Sequence, residues 1–329
     1  MAEEINAGGT AASNTSLHAA KRAKNDEFYT QLTDIEKELR HYKDHFRGKV
    51  VFCNCDDPEW SNFWTYFKLK FDYLGLAKVV ATHYAPGEAS YKLEYFGGGN
   101  EVKTALAGDG DFRSSECVAL LKESDIVVTN PPFSLFREYV AQLVEHEKQF
   151  LVLGNNNAVT YKETFRLIRD NKMWLGYGVN KTMEFRLSDE YARWSRVDEA
   201  GHKYGRVPAI SWFTNLPHHK RNEELILFRQ YSGNESRYPN YDNYEAIEVS
   251  KVADIPVDYE GAMGVPITFL DKFNPAQFEI LSANDIRRRA AVPFKEHGLI
   301  KDKDGTIDGK AVYVRIVIKL KISRTHNED

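Results

Sequence analysis

The sequence predicts a doubly wound α/β fold, a Rossmann-like parallel sheet with helices on both faces, followed by a C-terminal region of different character. Three observations carry this expectation. Short apolar runs recur at Val50–Cys53, Lys78–Ala81, Ile126–Val128 and Phe150–Leu153, each the length of a strand buried on both faces. Helix signals stand between them, and strands that alternate with single helices form parallel crossovers. After Leu216 the alternation stops, giving way to charged turns and loops rich in Gly, Asn, Pro and Tyr.

Residues 1–24 are polar and rich in Ala, Gly, Ser and Asn, without a signal peptide's apolar centre, and read as a disordered tail. From Asn25 the pattern is regular. Thr33-Asp34-Ile35-Glu36 has the form of a capping box, and Ile35, Leu39, Tyr42 and Phe46 follow at helical spacing. Ser61 caps a helix carrying Phe63, Tyr66, Phe67 and Phe71. A weaker strand is expected over Val102–Ala107, then a helix over Ser114–Leu121. Ser134 is expected to cap a helix bearing Phe136, Tyr139, Val140 and Leu143, and Thr160-Tyr161-Lys162-Glu163 to open another that runs to Asn171. Met173–Leu175 and Ile210–Thr214 read as strands, with an antiparallel pairing of the two as one option. The charged, aromatic stretch Lys181–Arg206 reads as a long excursion from the sheet. Val312–Lys319 alternates like a strand. Residues 25–217 thus form the expected catalytic domain and 218–329 a recognition region.

The 329 residues suit one large domain with a second region, and 42% apolar content supports a proper core. A net charge of −4 argues against a generic polyanion binder but leaves room for local basic patches, such as Arg287–Arg289 and Lys319–Arg324. Three cysteines are too few for a disulfide framework and fit a reducing, cytoplasmic setting. Cys53-x-Cys55 has no second pair at zinc spacing, so no metal is expected. No apolar run approaches ~18 residues, so no membrane span is read.

The chemistry concentrates in loops that follow strands, where open α/β sheets bind ligands. Asp125 to Thr129 ends in Asn130-Pro131-Pro132-Phe133. An exocyclic amine on a planar base needs these groups. Asn130 Oδ1 and the Pro131 carbonyl can accept its two hydrogens, the prolines hold the carbonyls still, and Phe133 can stack on the ring. A simple turn is the bland alternative at this tetrapeptide. Asn54-Cys55-Asp56-Asp57-Pro58 follows the first buried strand. It contains neither G-x-G-x-x-G nor a P-loop, which argues against NAD, FAD and ATP. A carboxylate such as Asp56 could hold the ammonium of an amino-acid-like cofactor. Asp109 or Asp111 could accept from an adenine amine, with Phe112 packing on its ring, although Asp-Gly is also an ordinary turn. Tyr29 could line the cofactor's methionine end.

Taken in order, these segments resemble the EcoRI-type adenine-specific DNA methyltransferase family from Asp26 to about Ile318. The resemblance rests on Asp26–Gln31, Cys53–Pro58, Gly108–Glu116, Ser124–Phe136 and Gly261–Leu270. It implies S-adenosyl-L-methionine as cofactor and Asn130, Pro131, Pro132 and Phe133 as the catalytic motif. It places Tyr29, Asn54, Cys55, Asp56, Phe112 and Asp111 or Asp109 at the cofactor. It also implies double-stranded DNA as partner, base flipping, a monomer, and a cognate restriction endonuclease that shares the site without being a stable partner. The namesake's GAATTC is the first site to test. Two departures stand out: Cys53–Pro58 lacks the usual glycine, and Thr82-His83-Tyr84 brings no acid for the ribose before Glu88. Two other readings compete: a protein glutamine methyltransferase using the same motif, and a non-catalytic DNA-binding protein on the same fold.

Overall fold

A computed structural model describes residues 28–55, 57–85, 89–187, 194–281, 299–300 and 305–321. The chain divides into two compact units. One reaches to Ala158 and resumes over Gly176–Leu216. The other comprises Val159–Leu175 and the residues from Pro217 onward.

The first unit holds a twisted mixed sheet. Its strands are β1 (Phe28–Thr30), β2 (Val50–Cys53), β3 (Lys78–Thr82), β4 (Tyr91–Tyr95), β5 (Glu101–Ala105), β6 (Ile126–Thr129) and β7 (Gln149–Asn155). After β8 (Trp174–Leu175), which belongs to the second unit, follow β9 (Lys181–Leu187), β10 (Arg196–Val197) and β11 (Lys203–Thr214). The sheet runs β1-β9-β11-β7-β6-β2-β3-β4-β5. Its centre, β7-β6-β2-β3, is parallel, as the apolar runs predict. Antiparallel strands extend it on both sides.

Helix α1 (Leu32–Leu39) and the 3-10 turn Arg40–His45 place Ile35, Leu39, Tyr42 and Phe46 in the core, each fully buried. Two further helical segments, α2 (Asn62–Leu69) and α3 (Phe71–Leu74), precede β3. Ser61 caps α2, its hydroxyl accepting from Phe63 N–H at 3.2 Å. Ser114 likewise caps α4 (Ser115–Glu123), accepting from Cys117 N–H at 3.2 Å.

Three expected caps are corrected. Helix α1 begins at Leu32 with Gln31 at its N-cap, so Thr33 lies inside it. Helix α5 (Phe136–Glu145) is preceded by a 3-10 turn, Phe133–Leu135, closed by Leu135 N–H on Pro132 O at 2.9 Å, and Ser134 sits within that turn. Tyr161 rather than Thr160 stands at the N-cap of α6 (Lys162–Arg169).

The expected excursion at Lys181–Arg206 is sheet at both ends. Strand β9 pairs antiparallel with both β1 and β11, and its Met183, Phe185 and Leu187 point inward between charged neighbours. The β4–β5 hairpin also extends the sheet further than the weak strand read near Val102.

In the second unit β12 (Ala246–Glu248), β13 (Ala262–Pro266) and β14 (Phe278–Ile280) form a small sheet with two later strands, β15 (Leu299–Ile300) and β18 (Arg315–Leu320). A hairpin of β16 (Thr306–Ile307) and β17 (Lys310–Ala311) lies between those two in sequence. Arg315 donates to buried Glu248 through Nη2 at 2.6 Å and Nε at 2.9 Å, and the Tyr241 hydroxyl donates to the same carboxylate. Breaking such a pair leaves a buried charge uncompensated, so it holds β12 to β18 firmly. Gly264 has no room for a Cβ, which would fall 2.3 Å from the Tyr241 hydroxyl.

Candidate active site

The parallel core visits β2, then β3 on one side, then crosses back to β6 on the other. The strand order therefore reverses between β2 and β6, the kind of switch point at which open α/β sheets bind ligands outside the strands' carboxyl ends. The loop Asn54–Asp57 and the turn Asn130–Phe133 stand at those two ends.

Two hydrogen bonds tie them together. Thr129 Oγ1, one residue before the Asn-Pro-Pro-Phe turn, donates to the Asn54 carbonyl, and the Tyr139 hydroxyl donates to Asn54 Oδ1. Tyr139 is wholly buried on α5. Burial first, then the neighbouring Cys55 thiol, pushes its hydroxyl well above the ordinary tyrosine range, so it is a fixed neutral donor. The same ring meets Phe112 edge-on, centroids 5.1 Å apart. Tyr139 thus gathers Asn54 and Phe112, and neither its role nor that of Thr129 was read from the sequence. Tyr139 gave only the apolar signal of a helix position.

The glycine missing after β2 has a substitute. Cys55 adopts φ 74°, the left-handed conformation that glycine would otherwise supply. For a non-glycine residue this costs about 1–2 kcal/mol. Asp57 then accepts from Glu59 N–H and from the Tyr91 hydroxyl, each at 3.0 Å. Asp56 lies outside the described residues, as does Glu88.

The loop after β5 meets the loop after β3. Gly110 has φ 79°, and a Cβ there would lie 1.8 Å from the His83 carbonyl, so only glycine fits. The Ala85 N–H donates to the Asp109 carbonyl at 2.8 Å. The two aspartates differ. Arg113 takes both oxygens of Asp111, Nε to Oδ1 at 2.9 Å and Nη2 to Oδ2 at 2.6 Å, which holds the Asp111 carboxyl below the usual range. Asp109 Oδ1 accepts from Asp111 N–H at 3.1 Å, while its Oδ2 has no hydrogen-bond partner among the described residues. Buried His83 Nδ1 also has none there.

Asn130 is 6% exposed, Pro131 is buried, and Pro132 and Phe133 are half-buried, with the Phe133 ring against the core of the sheet. Tyr29 is buried on the edge strand β1, opposite Arg186. Its neighbours tie β1 to the segment after β2. Asn62 at the start of α2 donates to the Thr30 carbonyl at 2.7 Å, and the Arg186 guanidinium lies 4.6 Å over the Trp60 ring. No three His, Cys, Asp or Glu side chains cluster as a metal site among the described residues. No helix among them is long and apolar enough to cross a membrane.

The profile of the family described as adenine-specific methyltransferase EcoRI matches residues 16–321. The chain belongs to this family. It is an adenine-specific DNA methyltransferase. Among its relatives, the Type II methyltransferase M.EcoRI of Escherichia coli is 46% identical, with 94% of this chain and 98% of the relative covered. The Type II methyltransferase M.MpnI of Mycoplasma pneumoniae is also 46% identical, with 92% and 97% covered. The Type II methyltransferase M.MgeORF184P of Mycoplasma genitalium is 41% identical, with 92% and 98% covered. Family membership over nearly the whole chain rules for a methyltransferase acting on DNA and against the glutamine and non-catalytic readings.

Proposed function

We propose that the protein moves a methyl group from S-adenosyl-L-methionine to the exocyclic N6 amine of an adenine flipped out of a short duplex site. The observation that carries this reading is the placement of Asn130–Phe133 beside Asn54–Asp57 where the strand order reverses. The donor set suits the cofactor: Gly110 lets the loop after β5 close against the His83 carbonyl, and Asp109 Oδ2 is open to an adenine amine. Asn54, Cys55, Asp56 and Tyr29 would hold its amino-acid end, and Asp109 and Phe112 its base. Bound there, the cofactor supplies an electrophilic methyl group.

The target base leaves the stack at a cost of a few kcal/mol, recovered partly by stacking on Phe133. Asn130 Oδ1 and the Pro131 carbonyl accept the two amine hydrogens, which turns the nitrogen lone pair out of the ring plane. An amide is a poor base, so Asn130 orients the amine and the proton leaves after transfer. Positioning and fixed dipoles supply most of the rate. One chain carries one such site, so a monomer suffices.

The second unit suits DNA recognition, with its small sheet and basic segments. Arg287–Arg289 and the end of the Lys319–Arg324 run lie outside the described residues, while Lys319 is exposed. The relatives' designation as Type II methyltransferases supports a partner endonuclease sharing the site. Methylation sequencing of DNA from cells expressing the chain tests the proposal. One modified adenine motif is expected, lost with Asn130→Ala while DNA and cofactor binding remain. Methylation by that variant within a few-fold of wild type would sink the assignment.

A further inference from the structure

We propose that Asp57 reads the ribose diol of the cofactor, a task that doubly wound folds ordinarily give to an acid beyond the next strand. The inference rests on S-adenosyl-L-methionine being the cofactor. A carboxylate at the end of the second parallel strand accepts ribose hydroxyls in nucleotide-binding sheets of this kind. Here that position carries Thr82, His83 and Tyr84.

The fold brings an acid to the same place from the neighbouring loop. Asp57 follows β2 in sequence, yet its side chain lies against residues of β3's edge. Oδ1 accepts the Tyr91 hydroxyl at 3.0 Å, and Tyr91 belongs to β4, which pairs with β3. The Tyr91 ring stacks on His83 with centroids 5.0 Å apart, and Oδ2 is 3.6 Å from His83 Nε2. Asp57 therefore stands at the carboxyl end of β3, held by a tyrosine and flanked by a histidine.

Its two oxygens have different duties. Oδ1 is filled by the Tyr91 hydroxyl and the Glu59 N–H. Oδ2 has no hydrogen-bond partner within normal distance among the described residues, and the side chain is 19% exposed. Each carboxylate oxygen offers two acceptor directions, which matches a vicinal diol presenting two O–H donors. Because Tyr91 already fixes the carboxylate, little rotamer freedom remains to be lost on binding. Asp109 is set apart for the base by its place beyond β5, and Glu59 is exposed and bound to Lys103 at 2.9 Å.

Calorimetry on the full chain with S-adenosylhomocysteine and its 2′-deoxy analogue tests this. The wild type should bind the deoxy analogue about ten- to a hundredfold more weakly, the range for a hydrogen bond to a charged group. In Asp57→Asn that penalty should shrink to within about threefold. Both ligands are measured on the same variant, so a general loosening of the loop cancels. Asp56→Asn and Glu88→Gln should keep the full penalty. The inference is overturned if Asp57→Asn keeps it, or if Glu88→Gln is the variant that loses it. A wild type that binds both ligands equally tightly also overturns it while leaving the cofactor reading intact. A wild type that binds neither overturns both.

Discussion

The hydroxyl of Tyr139 donates to the side-chain carbonyl of Asn54, joining the helix after the Asn-Pro-Pro-Phe turn to the loop after β2. Both residues are buried, and the bond links the two ends of the proposed site. The Asn-Pro-Pro-Phe turn and the loop after β2 are thereby cross-linked through α5.

Removing that donor should therefore be felt at the cofactor. Tyr139→Phe leaves Asn54 Oδ1 buried without its hydroxyl, at a cost of about 1–3 kcal/mol. The melting temperature should fall and S-adenosylhomocysteine affinity should drop several-fold. DNA affinity measured without cofactor should hold. Unchanged melting and unchanged calorimetry would together show that the bond carries no weight.

The two aspartates of the β5 loop should separate cleanly. Asp109→Ala should weaken S-adenosylhomocysteine binding by about ten- to a hundredfold, the worth of one hydrogen bond to a charged group. Asp111→Ala should chiefly destabilise the loop, because its oxygens serve Arg113. If calorimetry finds the larger affinity loss in Asp111→Ala, the assignment of the base contact reverses.

Phe133 serves both the core and, in the proposal, the flipped base. Stacking is worth about 1–3 kcal/mol per base. Phe133→Leu fills much of the same volume without a π-face. It should keep near-normal melting but blunt the fluorescence rise of 2-aminopurine placed at the target. Phe133→Tyr should keep most of that rise. A leucine variant with normal fluorescence and turnover would assign Phe133 to packing alone.

The Asp111–Arg113 pair sets a pH dependence. Arg113 lowers the folded-state pKa of Asp111, so the pair's contribution exists above the unfolded aspartate value and is lost as pH falls through the folded one. Arg113 is half exposed, which limits the contribution to at most about 1 kcal/mol. The melting difference between wild type and Arg113→Ala should be present at pH 7 and vanish well below pH 4. A difference that persists or grows in acid would exclude this pair as its source.

The parallel core was legible because strands buried on both faces must be apolar throughout, as Val50–Phe52 and Ile126–Val128 are. Strand β9 was not, because one of its faces is wet and its alternating Lys181, Glu184 and Arg186 read as a charged loop. Of the β4–β5 hairpin the weak strand near Val102 was read, while β4, with Lys92 and Glu94 on either side of buried Leu93, was not. Asn130–Phe133 stood out since few other structures need two prolines directly after a buried strand. Tyr139 did not, since a helix position facing the core looks the same whether its hydroxyl is used or not. The turn at Cys55 was legible only as a missing glycine, and its left-handed backbone needed coordinates.

Among the described residues strand β1 pairs only with β9, Phe28 in register with Leu187, at the far edge of the sheet. During synthesis the segment bearing Tyr29 leaves the ribosome before the central strands but has no strand partner among the described residues until residue 187 has emerged. The edge of the sheet that carries Tyr29 is thus among the last to be assembled, whatever the speed of the central strands. Ribosome-arrested chains that end before β9 should leave the Tyr29 region open to protease while β2, β3 and β6 are already protected. Equal protection of both regions in such chains would show that β1 docks without β9.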